Sequence, residues 1–302
     1  MAQTITLPVP VLAKNDALQK WMERVLKRGQ KVRKTWDVAD VHDFRVALRR
    51  SRTMADALSD TNPSPAWNKV KRNSKKVFHT LGELRDVQVE QDWAKKLLPG
   101  PTDARTELLK RLRTLESARL REAEKELDHF DRKEWRKLSR KLRSKADMFP
   151  IGSVVFQRLA LMKLNDAVAL YHQARKRKSG VAWHSVRIAI KRFRYVVENF
   201  LPQHYEAWAR DLKETQDLLG EIHDLDLLRT YIRRHSRELE PQQTVASWLE
   251  RIQSARTERL EKFLAKTNGK ESLWLDWRSG LQGGTTLLPV LTREARTAYS
   301  AS

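Results

Sequence analysis

The sequence predicts an all-α protein whose two halves repeat each other. From about residue 14 onward, apolar residues recur at intervals of three and four, with Leu, Ala, Arg, Lys, Glu and Gln between them, a pattern typical of amphipathic helices. Only 10 Gly and 10 Pro occur in 302 residues, which disfavours turn-rich β architectures and glycine-rich nucleotide loops. Two long stretches also align with each other, which indicates an internal duplication.

Turn-forming residues divide the chain into segments of about 15 to 30 residues, the lengths expected of bundle helices. In chain order, the predicted breaks are 29–40, 61–65 (TNPSP), 98–102 (LPGPT), 150–153 (PIGS), 179–180, 201–202, 240–241 and 267–270 (TNGK). The PIGS stretch separates two predicted halves, residues 14–149 and 150–282. Residues 1–13 and 283–302 are expected to be flexible tails.

The duplication is clearest in one basic helix of each half. Residues 41–58, VHDFRVALRRSRTMADAL, align with residues 183–200, WHSVRIAIKRFRYVVENF, at a constant offset of 142. Downstream, LGELRD at 81–86 aligns with LGEIHD at 219–224 at an offset of 138. The shared order is helix, basic helix, helix ending in Leu-Gly, helix, so Gly82 and Gly220 are expected at helix ends.

Composition restricts the classes of function. The chain carries 60 Lys and Arg against 38 Asp and Glu, a formal net charge of +22, which indicates an anionic partner. It has no Cys, which excludes disulfide frameworks, thiolate zinc sites and cysteine nucleophiles. The N-terminal segment lacks a signal-peptide pattern, and no stretch approaches the roughly 18 apolar residues of a membrane span. A soluble cytoplasmic protein without a membrane partner is therefore expected.

Each basic helix carries a row of cationic side chains on one face. At about 100° per residue, the four positions of a row fall within an arc of about 80° and span about 15 Å. The rows are His42, Arg45, Arg49 and Arg52 in the first half and His184, Arg187, Lys191 and Arg194 in the second, flanked by Arg50 and Arg192. Like charges at this spacing destabilise an isolated helix, so a row in both halves favours a phosphate-rich ligand, which arginine binds in bidentate fashion. His42 and His184 have a structural alternative, in which each bonds a carbonyl or caps a turn.

The helix after the first basic helix adds a second set of cations, and the second half has a reduced version of it. The residues are Lys69, Arg72, Lys76 and His79 in the first half and Arg210 and Lys213 in the second. If these helices pack as antiparallel neighbours, the two sets of cations face each other across a groove. Such a groove suits a long polyanion.

These motifs resemble the CHAD family, the conserved histidine α-helical domain. H-x-x-R-[VI]-A-[LI]-[RK]-R-x-R occurs at 42–52 and 184–194, and L-G-x-x-x-D follows at 81–86 and 219–224. The resemblance covers about residues 14–282. It implies two tandem pseudo-symmetric four-helix bundles whose basic faces line a central groove or pore. It also implies binding of inorganic polyphosphate by the cations named above and association with polyphosphate granules.

Catalysis is not expected. Some members of this family carry a triphosphate-tunnel domain with an E-x-E-x-K motif; the nearest match here, EAEKE at 122–126, places Glu where Lys is required. The interpretation is a stand-alone binding module with no metal and no cofactor. One alternative is a helical metal-dependent phosphohydrolase, because His42-Asp43 and His223-Asp224 are HD dipeptides, but these two pairs occupy different positions of the repeat.

Nonspecific binding of nucleic acid is the stronger alternative, because a protein of charge +22 binds phosphate backbones at low salt. Sequence-independent recognition of single strands uses exposed aromatic side chains for stacking. The tryptophans are instead scattered about one per helix beside apolar residues, a pattern that predicts core packing. Among them are Trp21, Trp67, Trp93, Trp135, Trp208 and Trp248.

Overall fold

The computed structural model describes residues 16–100, 102–239 and 241–283, and these ranges contain eleven α-helices and no strand. The all-α fold class is therefore confirmed. The helices are α1 (Ala17–Thr35), α2 (Val38–Thr61), α3 (Pro65–Asn73), α4 (Lys75–Leu97), α5 (Asp103–Asp128), α6 (Arg132–Asp147), α7 (Val154–Arg177), α8 (Gly180–Phe200), α9 (Pro202–Arg234), α10 (Gln242–Thr267) and α11 (Leu273–Gly283). Of the expected tails 1–13 and 283–302, residues 1–13 and 284–302 lie outside the described residues, and Gly283 is the last residue of α11.

The two basic helices, α2 and α8, begin in the same way. Trp36 ends α1 with φ 47°, and Lys178, at the equivalent position of the repeat, ends α7 with φ 51°. The next residues cap the following helices: Asp37 accepts hydrogen bonds from the backbone of α2, and Ser179 accepts one from the backbone of α8. The same local geometry therefore sets the start of both basic helices.

Two details of the predicted boundaries are wrong. The break at 29–40 is much shorter, because α1 continues through Gly29 to Thr35. A Cβ on Gly29 would lie 3.2 Å from Cε2 of Phe44, so this glycine allows close packing of α1 on α2. Two breaks were not predicted: Ser74, which separates α3 from α4, and residues 129–131, which separate α5 from α6.

Both halves contribute to the same core. α1 and α7 pack against α2 and α8, while in the middle of the molecule α2 contacts α8 and α4 contacts α9. One large cluster of buried apolar residues draws on both halves, and a second lies between α4, α5, α9 and α10. The division into two bundles at residue 150 stays a prediction.

The predicted core position of the tryptophans is confirmed. Trp67, Trp135 and Trp248 are fully buried, and Trp93 and Trp208 are nearly so. Trp21 is half-buried and packs against the large cluster. These rings hold helices together and present no stacking surface.

Within the described ranges, no helix is both long enough and apolar enough to span a membrane.

Candidate functional site

A cavity of about 560 Å³ lies between the two basic helices. α2 and α8 form its main walls, and two residues of α4 and single residues of α3, α7 and α9 complete it. The lining includes eight Lys and Arg side chains but only three Asp: Arg45, Arg49, Arg52, Lys71, Lys163, Arg187, Lys191 and Arg192 against Asp56, Asp60 and Asp86. The structure thus brings parts of both predicted rows to one cationic cavity.

Three arginines in the cavity, Arg49, Arg187 and the exposed Arg192, have no hydrogen bond or ion pair among the described residues, and Arg49 and Arg187 are the half-buried ones. The Nε atom of each of these two is buried and has no hydrogen-bond partner. Arg49 lies over the ring of Tyr195, with 5.6 Å between the guanidinium carbon and the ring centroid. Buried donors normally have partners. Both residues are therefore available to bind an anion from opposite walls.

Arg45 lines the same cavity but is already engaged. Its Nη1 donates to the backbone oxygens of Leu81, at 2.5 Å, and Gly82, at 3.2 Å. Gly82 and Gly220 lie inside α4 and α9, so the prediction that they end helices is wrong. Arg45 instead joins α2 to the middle of α4. Burial lowers the pKa of Arg45 to about 10, and its charge persists at neutral pH.

Arg52 has a structural role at the end of the cavity. Its Nη1 donates to the backbone oxygen of Lys71 at 2.7 Å and to Oγ of Ser74 at 2.8 Å. These bonds hold the junction between α3 and α4. Arg52 also stacks over Phe78 at 4.8 Å. The two hydrogen bonds occupy the Nη1 donors of Arg52, and no partner is found for its Nε and Nη2 among the described residues.

Arg50 and Arg194 lie at the contact between α2 and α8, and neither lines the cavity. Arg50 pairs with Glu198, donates to Oδ1 of Asn199 at 3.4 Å and lies over the ring of Trp21. Nε of Arg194 lies 3.6 Å from Oε2 of Glu198. Glu198 thus contacts two predicted ligand residues, pairing with Arg50 across the interface between the halves and with Arg194 within α8.

The second set of cations does not face the cavity. Lys69, Arg72, Lys76 and His79 are exposed on α3 and α4, and Arg210 and Lys213 are exposed on α9. The expected groove between facing rows is therefore not formed. The helix α3 ends just before Ser74, and its residue Lys71 lines the cavity instead of the predicted cations. Lys213 pairs with Asp217 at 2.6 Å.

Sequence reasoning missed two cations at the cavity. Lys71 pairs with Asp56 at 2.8 Å, and Lys163 of α7 pairs with Asp60 at 2.8 Å. Phosphate oxygens can replace exposed carboxylates of this kind, because such ion pairs contribute little free energy. No sequence pattern pointed to Lys163, which belongs to a helix outside the motif.

Lys191 is the cation in the cavity whose charge depends most on its surroundings. Burial, followed by repulsion from Arg187 and Arg49, lowers the pKa of Lys191 from 10.5 to about 7. Its equivalent in the first half, Arg49, is an arginine. The two walls thus differ in one position, permanently charged in α2 and titratable in α8.

Repeat-related carboxylates lie beside these cations. Burial raises the pKa of Asp86, and it raises that of Asp224 to about 6, while the nearby Arg187 opposes both shifts. Glu90, one turn beyond Asp86 on α4, has its pKa raised to about 7 by burial and by the two aspartates. These acids reduce the positive charge of the site most at pH values above 7.

His184 and His223 form a pair at the cavity, with 3.1 Å between their Nδ1 atoms. Burial and then Arg187 lower the pKa of both, that of His223 to about 3. The short distance between the rings requires that at least one is neutral. His42 is largely exposed and does not line the cavity; partial desolvation of its ring, followed by repulsion from Arg49, lowers its pKa. His184 thus contributes to the cavity while His42 does not, a difference that the motif did not reveal.

The two HD dipeptides have different interaction partners. Asp43 pairs with Arg28 of α1 at 3.2 Å, whereas His223 contacts His184. In the part of the chain that the structure describes, no group of three or more His, Asp or Glu side chains is arranged to hold a metal ion.

An all-α repeat protein with a cationic cavity between equivalent helices is the class that fold and site define. The chain belongs to the CHAD domain family, whose model matches residues 16–233. A comparison with curated protein sequences finds no match.

Two solved structures share the fold. The crystal structure of the CHAD domain from the plant Ricinus communis is similar with a TM-score of 0.58 and 21% identity, covering 93% of this chain and 96% of that chain. PptA from Streptomyces chartreusis is similar with a TM-score of 0.59 and 15% identity, and the match covers 90% of this chain and 99% of that chain. At these identities the likeness supports the fold alone.

Proposed function

We propose that this protein binds inorganic polyphosphate in the cavity between α2 and α8 and does not cleave it. The observation that carries the proposal is the pair Arg49 and Arg187. They belong to the equivalent cationic rows of α2 and α8, line opposite walls of the cavity, and hold buried Nε donors without a partner among the described residues. A chain of phosphates supplies acceptors to both.

The dimensions of the cavity favour a single unbranched chain. A volume of about 560 Å³ is that of a small-molecule site, for which about 300 to 1,000 Å³ is usual. A nucleic-acid duplex is far too wide for it. Lys191 and Arg192 extend the cationic wall of α8, and Lys71 and Lys163 add two further cations to the lining. The family resemblance, which associates CHAD proteins with polyphosphate, supports the same ligand.

The test measures fluorescent polyphosphate of defined length binding to the protein at about 150 mM salt, where weak backbone attraction is screened. Arg49→Gln with Arg187→Gln should weaken binding at least about tenfold, because each residue loses a charge-assisted contact. The matched control is Arg158→Gln with Arg177→Gln, which removes equal charge from exposed arginines of α7. The control should bind within about threefold of wild type.

Unlabelled competitors decide between the ligand classes. Polyphosphate should displace the probe, whereas single-stranded DNA, duplex DNA and RNA should not do so at equal phosphate concentration. Displacement by nucleic acid at lower concentration than by polyphosphate would overturn the assignment. Equal losses of polyphosphate affinity in the Arg49 and Arg187 variant and in the control would mean that net charge alone determines binding.

Two further measurements test the rest of the proposal. Incubation with polyphosphate should release no orthophosphate above the level without protein, and release that the Arg49 and Arg187 variant abolishes would show catalysis. A fluorescent fusion should concentrate on polyphosphate granules in cells that form them, and the same variant should be dispersed.

A further inference from the structure

α6 carries a dense strip of positive charge that the cavity does not use. Its 16 residues include eight Lys and Arg against two Asp and Glu, a net charge of +6. Seven of these cations are exposed, and Lys145 is half-exposed. The eight cations are Arg132, Lys133, Arg136, Lys137, Arg140, Lys141, Arg143 and Lys145. Among the described residues, no acidic side chain lies within ion-pair distance, 4 Å, of any of them.

The strip has an ordered arrangement. At about 100° per residue, the four arginines fall within an arc of about 80°, and the four lysines occupy the next arc of about 120°. The remaining face, with Trp135, Leu138 and Leu142, is buried against the core. α6 is about 24 Å long, at about 1.5 Å per residue. The outward surface of the helix is therefore mainly cationic along its length, with Glu134 inside the lysine arc and Asp147 inside the arginine arc as its two acids.

The fold does not require this charge. α6 packs on α1 and α3, and α11 holds the equivalent place on α7 and α9. Between Leu273 and Gly283, α11 has one cation, Arg278, and one acid, Asp276. Residues 1–150 carry a net charge of +14 and residues 151–302 carry +8. The net charge of α6, +6, is as large as this whole difference between the halves.

We propose that the outward face of α6 binds the phosphate backbone of duplex DNA, at a site separate from the cavity. No residue of α6 lines the cavity. A duplex carries about one charge per 1.7 Å of its axis, or about 14 charges along the length of α6. The arginine row can make bidentate contacts with phosphates, and the lysine row adds point charges.

The shape of the strip distinguishes this partner from others. The face is open and without walls, which suits a rigid duplex more than a single chain that needs enclosure. The apolar side chains of α6 are buried, so the helix lacks the exposed apolar face with which amphipathic helices enter a membrane surface. Met148, just beyond α6, is exposed but stands alone. Because its apolar face is buried in the core, α6 contacts the phosphate backbone of DNA and does not reach the base edges, so binding is independent of the DNA sequence.

The experiment measures fluorescence anisotropy of a labelled 20-base-pair duplex with the full chain between about 50 and 200 mM salt. The variant replaces Arg132, Arg136, Arg140 and Arg143 by Gln, which keeps helix propensity. Its matched control replaces four exposed arginines without ion pairs elsewhere, namely Arg158, Arg177, Arg234 and Arg251, by Gln. Circular dichroism melting of both proteins excludes unfolding as the cause of a loss.

We expect the α6 variant to bind duplex at least about tenfold more weakly at 150 mM salt. Its slope of log affinity against log salt should fall by up to about 3.6, since each lost phosphate contact contributes about 0.9. The control should lose less than threefold, and saturating polyphosphate should leave duplex bound to the wild type.

Three results would overturn the proposal. Equal losses in the two variants would make DNA binding a matter of net charge. Loss of duplex binding in the Arg49 and Arg187 variant, with the α6 variant unaffected, would place DNA at the cavity. Tighter α6-dependent binding to phosphatidylglycerol vesicles than to duplex would make the partner a membrane surface. The polyphosphate assay above is independent of all three.

Discussion

If polyphosphate binds in the cavity as proposed, Lys191 should make its affinity depend on pH in a range where arginines do not titrate. With its pKa lowered to about 7, Lys191 is charged in about one molecule in ten at pH 8 and in nine of ten at pH 6. A bound phosphate favours the charged form, so binding takes up a proton. Affinity should therefore fall by up to about tenfold for each pH unit above 7.

The perturbation is Lys191→Arg, which places at this position the residue that the first half already has at Arg49. The variant stays charged. At pH 6 it should bind about as well as wild type, and at pH 8 about tenfold more tightly. Glu90 and Asp224 titrate near the same range in both proteins, so the difference between the two proteins isolates Lys191.

The assay is polyphosphate titration at half-unit steps from pH 6 to 9 at constant ionic strength, with long chains so that their terminal groups contribute little. Lys163→Arg is the control, because Lys163 forms an ion pair at the cavity and its replacement should leave the pH slope unchanged. Identical slopes for wild type and Lys191→Arg would refute the reasoning.

The stability of the free protein should change with pH in the opposite direction. Lys191 has a lower pKa in the folded chain than in the unfolded one, so between about pH 7 and 10 the unfolded state binds more protons. The free energy of unfolding should then rise with pH, by at most about 1.4 kcal/mol per unit from this residue. Urea unfolding at pH 7 and 9 measures this rise, which Lys191→Arg should lack.

Four variants test structural residues of the fold, all measured by urea unfolding. Arg52→Gln should lower the free energy of unfolding by about 1 to 3 kcal/mol, because two bonds at the α3–α4 junction are lost; an unchanged midpoint would contradict this role. Glu198→Gln should cost about 3 kcal/mol, since two arginines between α2 and α8 lose their carboxylate, and a cost below about 1 kcal/mol would mean that solvent already screens this pair. Gly280→Ala should cost about 1 to 3 kcal/mol, because the new Cβ would lie 2.5 Å from Cζ2 of Trp208. Gly220→Ala, which meets no atom within 4 Å, should instead stabilise by up to about 1 kcal/mol, and equal effects of the two alanines would argue against the close contact.

The sequence predicts much of the local structure because helix formation depends on local periodicity. Apolar spacing predicts the helices, and Pro202 and the TNPSP stretch mark true ends. The helix boundaries that the sequence misplaces depend on contacts between helices. In the sequence, Gly29 predicts a helix break, but in the structure it lies within α1 and allows Phe44 of α2 to pack against it. The sequence around Ser74 predicts no break, and the hydrogen bond from Arg52 at this position appears only in the tertiary structure.

The sequence by itself determined the all-α class, the duplication, and the placement of Arg49 and Arg187 on equivalent faces of two helices, because each follows from spacing along the chain. Only the tertiary structure decided which cations are available. Arg45, Arg49 and Arg52 have the same spacing logic, yet Arg45 and Arg52 donate to backbone oxygens of α4 and α3 while Nε of Arg49 has no partner. A hydrogen bond between residues distant in sequence has no counterpart in the periodicity of the chain, so the arginines with internal partners can be told from those proposed to bind the ligand only once the helices pack.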